Sequence, residues 1–370
     1  MKRILVVTGE ESGDKQFSFL WSKLAPYMEE YSLWGIGGKY FKAIGGESVF
    51  SQEKLSVMGV TEVLKGFSNI YKAYKTIINH DYIEYTDAVI LVDFPDFNFK
   101  VGNALKKRGK KVFYFISPKI WAWRSGRIKT IKKISDLMLL IFPFEKQIFN
   151  EAGIDNIFVG NPVVYEMKEK IVNLKNKKNE ILLLPGSRKS EVEQLLPVMF
   201  KAVKIIRHYG IDMRVNIPVS NSISVSLVEK IIREYGSGLN ISYKKDSLYE
   251  FISRSKIAVS ASGTVNLELA VAGVPQVVIY KVANATYLIG KTFVKLDYMS
   301  PVNIVLNTLL VPELLQDEAN EENISKEIYE LLENSYKSDT IIEGYKKMVV
   351  ELTENIDYKL IADLIKKRIE

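Results

Sequence analysis

Short apolar runs alternate with amphipathic segments along the first half of the chain. The runs are rich in Val, Ile, Leu and Phe, which is typical of strands buried on both faces of a sheet. They predict strands at residues 3–8, 32–36, 87–93, 111–117, 137–142 and 157–159. Segments between them, such as residues 14–30 and 101–108, have the apolar periodicity of helices. This alternation predicts a parallel, doubly wound α/β sheet.

The alternation stops at a polar, lysine-rich stretch between about residues 165 and 179 and then begins again. The second half predicts strands at 180–184, 213–217, 239–243, 256–260 and 275–280, with helices at 190–208, 224–235, 247–254 and 264–272 between them. A chain of 370 residues also exceeds what one hydrophobic core usually serves. We therefore expect two domains, one of residues 1–165 with C-terminal helices at about 340–370, and one of residues 166–339. Ligands bind at the carboxyl ends of parallel strands, so the loops after the strands should carry the chemistry.

The composition argues against several classes of protein. No uncharged apolar run is long enough to span a membrane, and the opening MKRILVVTGEESGD fits a first strand better than a signal peptide. The lack of cysteine excludes disulfides and thiolate metal sites and is consistent with the cytosol. The net charge of +7 is spread along the chain, which argues against a nucleic-acid interface. A lysine-rich composition and attraction to anionic lipid or diphosphate both explain this charge.

Two loops of the first half combine turn residues with acids. In the loop 9–14, Gly9 and Gly13 permit a tight turn and close approach to a ligand, and Asp14 is a good N-cap for the next helix. A simple capped turn explains this loop equally well, and the dinucleotide-binding glycine pattern is absent. In the loop 93–98, the carboxylates of Asp93 and Asp96 should lie at the sheet's carboxyl edge, where one could act as a general base. The alternative is a turn acid and a helix cap; we favour a functional role for Asp93.

A third loop, residues 117–124, carries Trp121, Trp123 and Arg124. Core packing would explain one tryptophan, but two beside an arginine suit contact with a sugar or an acyl chain.

Two loops of the second half suit a nucleoside diphosphate. In the loop 184–191, Gly186 and Ser187 offer backbone N–H groups and Arg188 a guanidinium fork. In the loop 260–268, small residues open a helix, and Glu268 could accept hydrogen bonds from ribose hydroxyls. Each loop alone is also consistent with an ordinary capped helix. Residues 285–292 match a relaxed P-loop pattern, but their apolar interior favours a helix, and with His80 and His208 as the only histidines a metal site is not expected.

Taken together, these loops resemble those of lipid-A-disaccharide synthase, an inverting glycosyltransferase family of the GT-B type. The matching segments, in chain order, are GEESGD at 9–14, SVMGVTEVL at 56–64, DFPDFN at 93–98, SPKIWAWRSGR at 117–127, FPFE at 142–145, FVGNP at 158–162, LLPGSRKSEV at 183–192, SASGTVNLELA at 260–270 and DYMSPVNI at 297–304. Asn161, Glu11 and the pair Pro301-Val302 depart from the family's usual residues. The resemblance implies an α/β fold of GT-B architecture, with two Rossmann-like doubly wound parallel-sheet domains facing across a cleft.

The resemblance also implies a reaction and a set of site residues. The reaction is transfer of 2,3-diacylglucosamine from UDP to 2,3-diacylglucosamine 1-phosphate, with a β-1,6 linkage and inversion. Asp93 would be the base for the acceptor hydroxyl, and Arg188 would neutralise the departing diphosphate. The UDP-sugar would contact Gly186, Ser187, Glu191, Ser262, Gly263, Thr264, Glu268 and Asn303. The acceptor and its acyl chains would contact Ser12, Gly13, Met58, Asp96, Asn98, Trp121, Trp123 and Arg124. No cofactor is expected, since the UDP-sugar is a substrate, and no metal is expected, because Arg188 and a helix dipole can replace it.

Acylated substrates imply contact with a membrane. Apolar residues between Val60 and Tyr74 have helical spacing with lysines around them, which suits an interfacial helix; core packing is equally consistent. The predicted membrane contacts are Val63, Leu64, Phe67, Ile70 and Tyr71. We expect a cytoplasmic protein on the inner face of the cytoplasmic membrane, with no nucleic-acid partner, and the family implies a homodimer with exchanged C-terminal helices. The alternatives are a UDP-sugar epimerase and a catalytically inactive sugar-nucleotide-binding protein.

Overall fold

The chain folds into two compact units. In the computed structural model, residues 2–56, 63–118, 126–170, 177–281 and 298–370 are described. The first unit comprises Met1–Pro162 with Leu352–Glu370, and the second comprises Val163–Glu351. The first boundary falls close to the expected one at 165. The second falls later than the expected 340, because a single helix, Ser335–Thr353, runs through that position.

The first unit is built on a seven-stranded parallel sheet of order β3-β2-β1-β4-β5-β6-β7. Its strands are β1 Lys2–Thr8, β2 Tyr31–Gly37, β3 Glu47–Ser51, β4 Thr86–Val92, β5 Lys111–Phe115, β6 Leu137–Leu140 and β7 Asn156–Phe158. Its helices are α1 Glu11–Leu24, α2 Lys39–Ala43, α3 Glu53–Ser56, α4 Val63–Ile78, α5 Pro95–Lys106, α6 Arg127–Ile134 and α7 Glu145–Glu151. Helix α8 Pro162–Lys170 leads out of this unit. The helix α1 is shorter than the predicted 14–30 because Pro26 lies in a 3₁₀ turn, Ala25–Tyr27, that ends it.

The second unit is built on a six-stranded sheet of order β10-β9-β8-β11-β12-β13. Its strands are β8 Glu180–Leu184, β9 Arg214–Val219, β10 Ile241–Lys245, β11 Ile257–Ala261, β12 Gln276–Tyr280 and β13 Glu313–Leu315. The helices that follow α8 are α9 Lys189–His208, α10 Val225–Tyr235, α11 Leu248–Arg254, α12 Val265–Val271, α13 Pro301–Leu306, α14 Glu321–Glu333, α15 Ser335–Thr353 and α16 Tyr358–Ile369. The last of these, α16, belongs to the first unit.

Apolar side chains cover both faces of the first sheet. Along β1, Ile4 and Val6 belong to one buried cluster, and Leu5 and Val7 belong to the other, as the alternation of side chains along a strand requires. Helix α16 packs on the first of these faces through Ile361, Ala362 and Ile365, so the end of the chain completes this unit. The predicted fold class, two doubly wound parallel α/β units, is confirmed. Within the described ranges, no helix is long and apolar enough to cross a membrane.

The strand order reverses once in each sheet, between β1 and β4 in the first unit and between β8 and β11 in the second. Loops that leave adjacent strands in opposite directions open a crevice at the carboxyl edge, and this is where α/β sheets bind ligands. The loops 9–14 and 93–98 follow β1 and β4, and the loops 184–191 and 260–268 follow β8 and β11. Each sheet therefore brings two of the predicted site loops to its own switch point.

Candidate active-site loops in each unit

The turn after β4 holds two consecutive residues in a left-handed conformation. Asp93 has φ of +44° and Phe94 has φ of +46°, although neither is glycine. A non-glycine residue in this region costs about 1–2 kcal/mol, so the surrounding structure must enforce the turn. Asp93 is half-buried at the carboxyl end of β4, and α5 begins immediately afterwards at Pro95. Strain of this kind concentrates at functional sites, which agrees with the role predicted for Asp93.

Backbone and side-chain hydrogen bonds fix this turn. The Asp93 carbonyl accepts from the Tyr114 hydroxyl at 2.7 Å and from Asn98 Nδ2 at 2.8 Å, and the Asp93 N–H donates to the Phe115 carbonyl at 2.9 Å. Asn98 is fully buried, and its Nδ2 also donates to the Val92 carbonyl at 3.0 Å. The prediction that Asn98 contacts the acceptor is therefore corrected: packing of α5 on β4 buries its side chain beneath the turn.

The loop after β1 packs against the same turn. A Cβ at Gly9 would overlap the Phe94 ring, and one at Gly13 would lie 3.3 Å from Val92 Cγ1. Gly9 is thus needed for the close approach of the two loops, and Gly13 allows α1 to pack tightly on β4. Ser12 is exposed in the first turn of α1, at the same edge.

Asp14 does not cap α1 as predicted. Helix α1 begins at Glu11 with Glu10 at the N-cap, so Asp14 lies inside the helix, where it is fully buried. Its carboxylate accepts hydrogen bonds from the backbone N–H groups of Gly38 at 2.9 Å and Tyr40 at 3.0 Å. Asp14 therefore ties the start of α1 to the start of α2.

Asp96 forms an ion pair that the sequence did not reveal. Its carboxylate lies 2.8 Å from Nη2 of Arg127, the first residue of α6, and the Asp96 side chain is 84% exposed. The Arg127 guanidinium lies 5.8 Å from the centre of the Phe99 ring. Arg127 ends the motif SPKIWAWRSGR, and that position was the only sequence signal for it.

A buried carboxylate lies at the end of β5. Glu145, from the segment FPFE, is 2% exposed and accepts a hydrogen bond from the Ser117 hydroxyl. Between β5 and Ser117, Ile116 has φ of +65°, a genuine outlier for a β-branched residue. The sequence alone predicted no role for Glu145.

Some predicted contacts can be placed only in part. Met58, Trp121, Trp123, Arg124 and the segment 285–292 lie outside the described residues, as do the side chains of Val63, Leu64 and Phe67. In α4, Ile70 and Tyr74 are partly buried and pack against the core of the first unit, which agrees with the core-packing alternative for these two residues. Tyr71 is 61% exposed, and Lys75 Nζ lies 5.6 Å from the centre of its ring.

In the second unit, the Glu191 carboxylate occupies the turn after β8. It accepts hydrogen bonds from the backbone N–H groups of Ser187 at 3.1 Å and Arg188 at 3.2 Å, and Arg188 Nη1 lies 3.0 Å from its other oxygen. Gly186 has φ of +106°, and a Cβ there would overlap this carboxylate. The Ser187 N–H, a predicted donor to a diphosphate, is thus already bonded to Glu191. The Arg188 side chain is 81% exposed.

The loop after β11 is supported from below by buried amides. Asn266 Oδ1 accepts from the Gly263 N–H at 2.8 Å, and Asn266 Nδ2 donates to Gln276 Oε1 at 2.9 Å. Gln276 Nε2 donates in turn to the Tyr345 hydroxyl at 3.2 Å. Above the loop, a Cβ at Gly263 would meet nothing within 4 Å, and Thr264 is exposed. The upper side of this loop is therefore open to a ligand.

Two further predicted residues flank this loop. The Ser262 hydroxyl donates to the Met299 carbonyl at 2.8 Å. Glu268 is half-buried one turn into α12, where its carboxylate accepts from the Tyr249 hydroxyl at 3.4 Å.

Asn303 is buried, and its side-chain amide is saturated within the unit. Its Nδ2 donates to the Val311 carbonyl at 2.9 Å and to Glu313 Oε1 at 2.7 Å. Its Oδ1 accepts from the N–H groups of Leu310 and Val311, each at 2.9 Å. Burial raises the pKa of Glu313, while hydrogen bonds from the Met299 and Ser300 N–H groups oppose the rise. The side-chain amide of Asn303 therefore has no donor or acceptor left for the predicted contact with UDP, and Glu313 links it instead to residues 299–300, which border Ser262.

Tyr280 was not singled out from the sequence. It ends β12, one strand away from the loop after β11, and is half-buried. Burial raises the pKa of its phenol, the positive charge of Arg188 lowers it, and the negative charge of Glu191 raises it. Tyr280 therefore lies within electrostatic range of the turn after β8. In the described part of the chain, no three acidic or histidine side chains gather as a metal ion would require.

Comparison with known proteins identifies the family. A family model described as lipid-A-disaccharide synthetase matches residues 4–367. The chain belongs to this family. The lipid-A-disaccharide synthase of Geobacter metallireducens is 35% identical over 355 residues, which cover 94% of this chain and 92% of that protein. As a member of this family, the chain is an enzyme, a glycosyltransferase.

Solved structures with similar folds share little sequence with this member of the family. UDP-GlcNAc 2-epimerase from Neisseria meningitidis, bound to UDP-GlcNAc, matches with a TM-score of 0.66 at 13% identity and covers 99% of this chain and 100% of its own. A UGT transferase from Siraitia grosvenorii in complex with UDP matches with a TM-score of 0.64 at 10% identity, with full coverage of both chains, 100% each. These likenesses agree with the predicted GT-B fold.

Proposed function

We propose that this glycosyltransferase joins two acylated glucosamine units. It transfers 2,3-diacylglucosamine from UDP to the 6-hydroxyl of 2,3-diacylglucosamine 1-phosphate, forms a β-1,6 linkage with inversion, and releases UDP. Membership of the family supports the overall reaction. The observation that carries the assignment of residues is the convergence of two predicted site loops at the switch point of each sheet.

In the second unit, Arg188 is the proposed partner of the diphosphate. Its exposed guanidinium can form two parallel hydrogen bonds with phosphate oxygens and stabilise the charge that develops as UDP departs. Ser262, Gly263 and Thr264 would border the nucleotide, and Glu268 would accept hydrogen bonds from the ribose. Glu191 and Asn303 would act by holding the turn after β8 and residues 299–300.

In the first unit, Asp93 is the proposed general base. As the acceptor O6 bonds to the anomeric carbon, the bond from that carbon to UDP breaks and the proton of O6 passes to the Asp93 carboxylate. Ser12, Gly13 and Asp96 lie on or beside the loops at the same edge and would border the acceptor. The proposal uses no cofactor and no metal, because Arg188 supplies the positive charge.

A turnover assay of the full chain tests this proposal. The two acylated substrates are supplied with EDTA, and UDP and disaccharide are followed by mass spectrometry. We expect disaccharide from the native protein and a loss of about a thousandfold in Asp93→Asn and in Arg188→Ala, the scale expected when a general base or a charge that stabilises the leaving group is removed. Asp246→Asn and Arg233→Ala are matched controls, because Asp246 is an exposed left-handed aspartate and Arg233 an exposed arginine of the second unit.

Other outcomes would contradict specific parts of the proposal. UDP release without disaccharide would mean a different acceptor. A protein that binds UDP but neither releases UDP from the donor nor forms disaccharide would favour an epimerase or an inactive binding protein. Near-normal turnover in a folded Asp93→Asn variant would remove the base assignment alone, and loss of turnover on addition of EDTA would show that a metal takes part.

We also propose that the first unit contacts an anionic membrane through α4. Tyr71, Lys72 and Lys75 are exposed on this helix, and each lysine near an anionic surface contributes about 1 kcal/mol. Charge reversal of Lys72 and Lys75 should weaken binding to vesicles of anionic phospholipid by at least about tenfold. Charge reversal of Lys107, an exposed lysine at the C-terminal end of α5, is the control. Equal binding by both variants would favour simple core packing of α4.

The expected homodimer stays a proposal. Helix α16 packs on its own first unit, and exchange would form the same contacts between two chains. Light scattering of the purified protein measures this: a monomer at micromolar concentration would contradict the exchange.

A further inference from the structure

One carbonyl oxygen in the first unit receives two side-chain hydrogen bonds from different elements. The donors to Asp93 O are the Tyr114 hydroxyl of β5 and the Asn98 amide of α5, and both residues are fully buried. The carbonyl belongs to the left-handed turn at Asp93 and Phe94. Two buried donors bonded to one backbone oxygen at a strained position indicate that specific hydrogen bonds stabilise this turn.

The Tyr114 hydroxyl has no packing function. Tyr114 pairs with Leu91 across the sheet, and its ring belongs to the apolar cluster that includes Val7 and Met138. A phenylalanine would fill the same space, so the hydroxyl at the carboxyl edge is explained by the bond that it donates. Burial and the charge of Asp93 raise the pKa of Tyr114 well above the usual value, so the hydroxyl keeps its proton at neutral pH.

The geometry of the turn determines where the Asp93 carboxylate lies. Its N–H is tied to the Phe115 carbonyl at 2.9 Å, and its carbonyl is tied to Tyr114 and Asn98, so the peptide groups on both sides of its Cα are fixed. Without the donors, the turn can relax toward ordinary backbone angles. The carboxylate would then move away from the position in which it meets a substrate hydroxyl.

We propose that Tyr114 and Asn98 are positioning residues for Asp93: they hold the left-handed turn that presents its carboxylate. This inference rests on the proposed role of Asp93 as the base. It assigns a function to a residue that the sequence motifs did not mark, and it gives Asn98 a role different from acceptor contact.

The central experiment is a double-mutant cycle between Tyr114 and Asp93 in the full chain. Tyr114→Phe removes only the hydroxyl. We expect kcat to fall about tenfold, with KM for both substrates within about twofold, because a misplaced base slows the chemical step without weakening binding. In an Asp93→Asn background the same substitution should change the residual rate by less than about twofold, since its effect acts through the missing carboxylate. Tyr31→Phe is the matched control, a buried tyrosine at the amino end of the same sheet.

A second variant tests the other donor. Asn98→Ala should lower kcat while KM for the acceptor stays near the native value; a raised acceptor KM with native kcat would show direct contact and overturn the inference for Asn98. Circular dichroism and unfolding in urea establish that each variant is folded, and the assay is run at 10 °C if Tyr114→Phe is unstable.

The results separate this inference from the proposed function. If Asp93→Asn abolishes turnover but Tyr114→Phe has native kcat, the assignment of Asp93 as the base is retained and the positioning role of Tyr114 is wrong. If Tyr114→Phe loses the same factor in both backgrounds, its effect is general and the positioning role also fails. If Asp93→Asn retains native turnover, the base assignment itself is wrong.

Discussion

The buried carboxylate of Asp14 accepts a hydrogen bond from the backbone N–H of Gly38 at 2.9 Å. The two residues are 24 positions apart; Asp14 lies in the first turn of α1, and Gly38 lies in the loop after β2. A second bond from the Tyr40 N–H, at 3.0 Å, makes Asp14 a cap for α2 supplied by another helix. Asp14, the last acid of the motif GEESGD, therefore has a structural role, and it fixes one side of the crevice at the first switch point.

Replacement of Asp14 by alanine should destabilise the first unit. The change leaves the N–H groups of Gly38 and Tyr40 without this buried acceptor, a loss of about 3 kcal/mol for hydrogen bonds to a charged group. The second unit, Val163–Glu351, contains no tryptophan, and Trp21 and Trp34 are buried in the first unit, so tryptophan fluorescence during urea unfolding follows the first unit specifically. Asp363→Ala, at an exposed position of α16, is the control. Equal midpoints for the two variants would contradict the capping role.

The sequence predicted elements with a local signal and missed relationships made at a distance. Long apolar runs such as residues 87–93 predicted central strands, because burial on both faces leaves a continuous hydrophobic pattern. The short edge strands β3 and β13 were missed, since neither has such a run. The cap formed by Asp14 could not be predicted, because its partners lie in a different loop. Motifs marked Asn98 and Asn303 as polar residues of a site, but only tertiary packing shows that both side chains are buried.

Loss of the Asn266 amide should weaken both the second unit and its affinity for UDP. Asn266→Ala removes the acceptor for the Gly263 N–H and leaves Gln276 without one partner, which costs about 2–4 kcal/mol in a buried network. Thermal unfolding measures the stability, and calorimetry of UDP binding measures the affinity. Asn216→Ala is the control, because Asn216 is buried in the same unit beside Glu180 and away from the loop. If both variants bind UDP as the native protein does, the support of the loop by Asn266 is wrong.

Removal of the charge of Glu191 should strengthen UDP binding. Its carboxylate pairs with Arg188 and occupies the turn after β8, where it repels a diphosphate. In Glu191→Gln the amide oxygen can still accept from the turn, so we expect the Kd for UDP to fall about threefold at low salt, the scale of one exposed ion pair. Glu193→Gln, two residues further along α9, is the control. Weaker binding in Glu191→Gln would instead support a direct contact of this carboxylate with the UDP-sugar.

Lys177 should make the stability of the second unit depend on pH. Its ammonium group donates to the Ile252 carbonyl at 3.0 Å, and burial lowers its pKa to about 8 from 10.5. Between these two values the unfolded chain binds a proton that the folded chain has lost, so the contribution of Lys177 to the free energy of unfolding rises with pH. Below pH 8 the Lys177 amine is charged in both the folded and the unfolded chain, so burial of the charge lowers the free energy of unfolding by its full amount.

Lys177→Met should therefore stabilise the protein by roughly 1 kcal/mol at pH 7, after the lost bond to Ile252 is allowed for. This advantage over the native protein should shrink steadily as the pH is raised through the native pKa of about 8 toward 10. Urea unfolding followed by circular dichroism at pH 7, 8.5 and 10 measures the difference. Lys178→Met, an exposed lysine at the next position, should show no such trend. A difference for Lys177→Met that stays constant across this range would mean that Lys177 titrates in the folded protein as it does in the unfolded chain.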